Sequence, residues 1–249
     1  MKRLALMLCM LACFAASGCG IQQKQPPELP AEQEQIKDPE APAGQEPAAA
    51  PAESEPEPTA EEFVRVADCI PDILVDLRYA TADNFTGEVI YKFNDAYLRY
   101  GTVKKLAAVQ EALSEQGYGL VIWDAFRPVS AQFTLWDICP DSRYVADPNK
   151  GFSSHSRGNT VDLTLVMLDG GSVVMPTGFD DFSAKADRDY SDVDEEAAVH
   201  AILLENAMIE AGFKPYSGEW WHFSDTDSYD VEEHFTPQEH LESEENDNG

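Results

Sequence analysis

The chain has 249 residues, 46 acidic against 17 basic, and a formal net charge of −29. A surface this acidic repels phosphate backbones, which argues against nucleic acid as a partner. Only 43% of the residues are hydrophobic and the longest apolar run is the short one near the start, so no lasting membrane span is expected.

That first run has the form of a bacterial export signal. Lys2 and Arg3 precede a short apolar stretch, and small residues lead to Cys19. Ala16-Ser17-Gly18-Cys19 looks like a lipoprotein processing site, although a larger aliphatic residue is usual where Ala16 stands. Residues 1–18 are therefore expected to be removed and Cys19 to carry a lipid, with ordinary secretion as the alternative. Residues 19–60 are rich in Pro, Glu, Gln and Ala and, after Cys19, lack any aromatic residue. Such a segment cannot bury a core and reads as an extended tether. Residues 61–241 remain as one domain with enough chain for a real core, followed by an acidic tail over 242–249.

Within the domain, ILVDLRYA (73–80) alternates like a strand after a turn at Ile70-Pro71-Asp72, and TADNFTGEVIY is a loop. Residues 102–116 space Val103, Leu106, Val109 and Leu113 as a helix does, with Thr102 as a candidate cap and Gly117 as the stop. GLVIWDAF reads as a buried strand, Val129–Asp137 as a helix, and TVDLTLVML as an alternating strand. Gly170-Gly171 should turn that strand into SVVMP as a hairpin. DEEAAVHAILLENAMIEA (194–211) is an amphipathic helix stopped by Gly212, and FKPYSGEWWHFS reads as a last strand. Helices and strands mix without regular alternation, so an α+β domain is expected, with a small, mainly antiparallel sheet flanked by helices.

Three stretches carry candidate chemistry. In SSHSRGNTVDLTL, His155 and Asp162 are either two ligands of one metal or a turn residue and a strand-edge acid. His222, beside Trp220 and Trp221, is either a third ligand or a hydrogen-bonded core histidine. Glu219 precedes it by three residues, and a zinc hydrolase needs a carboxylate near the attacking water. In an extended strand the two would face opposite ways, so a bend is required. In WDAFRP, Arg127 is either a strand-end cap or a fixed cation for a developing oxyanion. His200 reads as a helix-face residue, and His234 and His240 as solvated. Cys69 and Cys139 either pair or remain separate thiols.

Together these motifs resemble one family. Ser153-Ser154-His155-Ser156-Arg157-Gly158-Asn159-Thr160-Val161-Asp162 is similar to the Ser-x-His-x-x-Gly-x-Ala-x-Asp pattern of the zinc DD-peptidases, with Thr160 where alanine is usual. Glu219-Trp220-Trp221-His222 and Asp124-Ala125-Phe126-Arg127-Pro128 match two more motifs of that group, and Asp83-Asn84-Phe85-Thr86-Gly87 resembles its D-alanyl-D-alanine dipeptidase branch of the VanX type. The resemblance runs from about Ile70 to Phe223. It implies one zinc ion per chain, at the sheet, held by His155, Asp162 and His222, with Glu219 as general base and acid and Arg127 as oxyanion stabiliser. It also implies Asp180 for the substrate ammonium, with Asp181 as rival, and Ser153 for the terminal carboxylate. The implied substrate is the D-Ala-D-Ala dipeptide, cleaved to two D-alanines in cell-wall peptide turnover. The alternative is a D,D-carboxypeptidase trimming peptidoglycan stem peptides, which shares the group and suits an anchored protein. The complete residue set opposes a non-catalytic surface binder. An exported protein on the extracytoplasmic face, touching the membrane only through its anchor, suits recovery of wall-derived D-alanine.

Overall fold

The computed structural model describes residues 56–238; the expected signal, Cys19, most of the tether, His240 and the acidic tail lie outside the described residues. Strand β1 (Phe63–Arg65) runs into a short helix α1 (Val66–Cys69), and β2 (Leu74–Val75) follows the turn at Pro71-Asp72. The expected strand over 73–80 is thus only two residues long. Arg78–Ala80 coils into a 3-10 turn instead, which buries Tyr79.

Strand β3 (Tyr97–Arg99) pairs antiparallel with β1 and leads directly into helix α2 (Tyr100–Ser114). Thr102 is not the cap. The carbonyls of Glu62 and Ala60 accept from Tyr100 N and Gly101 N, so residues far back in the chain satisfy the open end of the helix. Thr102 sits inside the first turn and donates its hydroxyl to the buried Asp225 at 2.8 Å. These contacts also show that order begins before residue 61.

Strand β4 (Tyr118–Asp124), helix α3 (Val129–Ile138), strand β5 (Thr160–Met167) and helix α4 (Glu195–Glu210) lie close to their expected positions. Asp194 caps α4 by accepting from Glu196 N at 2.9 Å. The turn at Gly170 forms, with φ 86°, but the hairpin does not: Ser172 makes one bridge to Val166 and the chain then leaves the sheet. The last expected strand is broken as well. Its two halves, β6 (Phe213–Pro215) and β7 (His222–Asp225), are antiparallel neighbours with a turn between them.

The main sheet has the order β2-β4-β5-β7-β6, antiparallel except for the β2-β4 pair, so the mainly antiparallel α+β expectation holds. Alternation gives β5 two faces. Val161, Leu163 and Leu165 are buried with Leu120 and Ile122 of β4, in a core shared with α2 and α4 residues such as Leu106 and Leu204. Asp162 and Thr164 point to the other face, where the site lies. No helix among the described residues is long and apolar enough to cross a membrane, and Cys69 and Cys139 are both free.

Gly158 ends the 3-10 turn Ser154–Arg157 in the left-handed region, φ 73°. A Cβ there would collide with the Phe63 ring. Gly158→Ala is therefore expected to destabilise the protein by roughly 1–3 kcal/mol, measured by chemical denaturation, and to displace His155 three residues earlier.

Candidate metal centre

The site is built on one row across three strands. Asp162 pairs with His222 of β7 on one side and with Asp124 of β4 on the other. Regular pairing from Ile122↔Leu163 would put Trp123 opposite Asp162. Instead the register shifts between Ile122 and Asp124, a bulge that sets two residues of β4 against one of β5. Asp124 is thereby brought level with Asp162.

His155 reaches this row from the turn after Ser153. The Ser153 hydroxyl accepts from His155 N at 3.3 Å, and Gly158 then redirects the chain into β5. His155 Nδ1 lies 2.8 Å from the carbonyl oxygen of Ala125. A carbonyl can only accept, so Nδ1 carries the proton and Nε2 presents its lone pair. That Nε2 is 3.3 Å from Asp162 Oδ2, while His222 Nδ1 is 2.9 Å from Asp162 Oδ1. The three side chains offer ligand atoms that all lie within 4.8 Å of one another, the one such group found among the described residues.

The bend needed between Glu219 and His222 is present. His222 N donates to Glu219 O at 3.3 Å, which closes a turn through the two tryptophans. Its supports come from elsewhere in the chain. Trp220 N donates to Ala186 O, and Trp220 Nε1 donates to Thr177 Oγ1. Arg188 donates to Tyr216 O at 2.7 Å and to His222 O at 3.0 Å, with a further bond to Glu205. Glu219 Oε2 consequently lies 3.6 Å from His222 Nδ1.

A divalent cation fits this donor set. Asp162 Oδ1 is buried and has no hydrogen-bond partner, although His222 Nδ1 is close. The contact lacks the direction of a hydrogen bond, as expected of two atoms that face a third. Two imidazoles and a carboxylate are the ligands of hydrolytic zinc, which leaves coordination open for water. Burial opposes a charge on Asp162, yet the two imidazoles hold its carboxyl well below the usual range. Burial also opposes protonation of His155, and the charges of Asp162 and Asp124 outweigh it. Both shifts favour positive charge beside the Asp162 carboxylate.

Arg127 is buried and bound to Asp124, by Nε at 3.1 Å and Nη2 at 2.6 Å, both to Oδ2. Asp124 Oδ1 accepts from Tyr91 Oη at 2.7 Å and from Ala125 N at 2.9 Å. Asp124 stands in the Asp124–Pro128 motif but was given no role from the sequence, and Tyr91 and Arg188 were not singled out at all.

A cavity of about 310 Å³ opens at the row, lined by His155, Asp162, His222, Glu219, Arg127 and Asp180. Ser153, Tyr79 and Tyr144 also line it. Asp180 is half-buried, in the left-handed region at φ 55°, and accepts from Tyr79 Oη at 2.8 Å. Its rival Asp181 instead closes a local turn by accepting from Ser183 N and lines a neighbouring cavity. Burial pushes the Asp180 carboxyl up to about 7, against the Tyr79 bond and with the Asp162 charge adding to the rise. Burial likewise raises Glu219. Of the other histidines, His200 contacts Val174 O and Tyr118 on the face of α4, and His234 is exposed.

The Peptidase M15 family profile, described as D-ala-D-ala dipeptidase, matches residues 59–243. A D-alanyl-D-alanine dipeptidase of Escherichia coli is 40% identical over 162 residues, covering 65% of this chain and 83% of its own length. One from Enterococcus faecium is 33% identical over 181 residues, covering 65% and 90%. One from Streptomyces coelicolor is 36% identical over 187 residues, covering 66% and 91%.

Because Asp180 binds its proton more tightly folded than unfolded, it draws stability from the protein as pH rises from about 3.8 through about 7. In metal-free protein, Asp180→Asn should raise the thermal midpoint at pH 7.5, and the gain should shrink toward zero near pH 4. A gain that is the same at both pH values would assign the effect to packing.

Proposed function

The chain belongs to the D-ala-D-ala dipeptidase family, and from that premise we propose that it hydrolyses the D-Ala-D-Ala dipeptide to two D-alanines as a zinc metallopeptidase. The observation that carries this reading is the convergence of His155, Asp162 and His222 beside Glu219, with a buried oxygen of Asp162 left open.

One zinc ion per chain would be held by His155, Asp162 and His222. Zinc bound there would supply Lewis acidity toward the scissile carbonyl and the attacking water. Glu219 is placed to take a proton from the attacking water on its carboxylate and to deliver it to the leaving amine. Arg127, clamped by Asp124, presents a fixed cation to the oxygen that becomes negative on attack. Asp180 receives the substrate ammonium at one end of the cavity. Ser153, which accepts from His155 N, keeps its own proton to donate to the terminal carboxylate.

The cavity, about 310 Å³, has room for a dipeptide. Asp180 supplies the preference for one over a stem peptide. A substrate acylated at its amine brings no cation to the half-buried carboxylate, whose charge then has only the Tyr79 hydroxyl to answer it, and a buried charge so poorly compensated opposes binding. All three relatives cited carry the dipeptidase name, which favours this reading over carboxypeptidase action.

For residues 1–60 we propose export, lipidation of Cys19 and a tether holding the domain off the membrane on its extracytoplasmic face. The support is the sequence alone: Lys2-Arg3, the apolar run, and small residues before Cys19. Recovery of wall-derived D-alanine is the role this placement suits. Incorporation of labelled fatty acid into the wild type and not into Cys19→Ala tests it; a label in both would reject lipidation at Cys19.

Zinc-loaded full-length protein is expected to release alanine from D-Ala-D-Ala and not from N-acetyl-D-Ala-D-Ala. Glu219→Ala should lower kcat roughly 10²–10⁴-fold with zinc content unchanged, whereas His222→Ala should lose the metal itself. Preferential cleavage of the acylated peptide would overturn the dipeptidase reading and the role of Asp180.

A further inference from the structure

Arg127 is anchored unevenly by Asp124. Both of its bonds to that residue end on a single oxygen, Oδ2, so the guanidinium can pivot about that point. A third bond removes the freedom: Arg127 Nη1 donates to Gln132 Oε1 at 2.9 Å. Gln132 stands on α3, is 1% exposed, and donates its own amide nitrogen to Ala146 O at 2.7 Å. Ala146 and its neighbours Val145 and Tyr144 form one wall of the catalytic cavity.

The chemistry of the two partners makes this arrangement specific. A guanidinium only donates and a backbone carbonyl only accepts. Of the side chains that fit, an amide offers one acceptor and one donor in a single plane. Its orientation follows from its partners: with oxygen and nitrogen exchanged, both bonds would be lost. Gln132 does not itself line the cavity, so any effect on turnover must pass through Arg127 or through the wall.

We infer that Gln132 is a positioning residue for the hydrolysis. It locks the Arg127 fork in the orientation that meets the developing oxyanion, and it ties that fork to the wall at Ala146. This inference rests on the reading of Arg127 given above. A misdirected guanidinium leaves the ground state nearly as well bound and weakens only the interaction made on attack, so the loss should fall on kcat.

The test is a double-mutant cycle in full-length, zinc-loaded protein with Gln132→Met, Arg127→Lys and the pair. Gln132→Met should lower kcat roughly 10- to 100-fold while KM moves less than about threefold. In the Arg127→Lys background the same change should cost less than about threefold, because its target is gone. A dipeptide phosphinate, whose tetrahedral oxygens stand in for the oxyanion, should bind Gln132→Met more weakly by calorimetry, with D-alanine binding unchanged. Equal losses in both backgrounds would make Gln132 purely structural and overturn the inference, leaving Arg127's role intact. Arg127→Lys turning over like the wild type would overturn both. If Gln132→Met folds poorly, Gln132→Asn goes through the same cycle. It keeps an amide in the cavity and is one methylene too short to bridge both partners, so the same pattern of losses is expected.

Discussion

A buried carboxylate that the protein itself leaves half-satisfied organises this molecule. Asp162 is 3% exposed, sits mid-row between Asp124 and His222, and has one oxygen with no hydrogen-bond partner. Isolated buried anions are expensive, and proteins tolerate them where a cation completes them. Asp124, one strand away, shows the contrasting case: Tyr91, Ala125 N and Arg127 satisfy it fully. Two neighbouring aspartates on one sheet thus have opposite duties. One holds a fixed guanidinium and the other is kept open for a metal.

That division depends on register. Strand side chains alternate with a period of two, so a one-residue slip of β5 would turn Asp162 into the helix-packed core and expose Leu163 to the cavity. The apolar face of β5 against α2 and α4 therefore fixes the metal site as firmly as it fixes the fold. The bulge at Trp123 is the one departure from alternation in the β4-β5 pair, and it lies where the site needs a second carboxylate level with the first. Bulges commonly re-aim a side chain beside an active site.

Much of this was legible in the sequence because it was written locally. The alternation of TVDLTLVM, the amphipathic helix over 194–211 with its stop at Gly212, and the spacing from His155 to Asp162 through Gly158 all act over a few residues. What was not legible depends on distant partners. The bend from Glu219 to His222 is held by Arg188, Ala186 and Thr177, none of which is adjacent in the chain. Thr102 looked like a cap because a hydroxyl before an apolar run usually is one; the carbonyls of Ala60 and Glu62 took that place. The second strand of the expected hairpin failed for a similar reason. After Ser172 the chain leaves the sheet, and Thr177 meets Trp220 and Asp180 meets Tyr79.

The turn that carries His155 has neighbours from both ends of the domain. Phe63 of β1 stacks on Phe235 with ring centroids 4.3 Å apart, and the Phe63 ring packs against Gly158. Arg157 donates to Tyr229 O and Glu232 N donates to Ser156 O. Early and late parts of the chain thus clasp the middle. A ribosome or translocase delivers the chain from its N-terminus onward, so the clasp closes only after the last described segment has emerged. The metal site is then among the final features to mature. A site carried by that turn lacks these supports until residues 229–235 are in place.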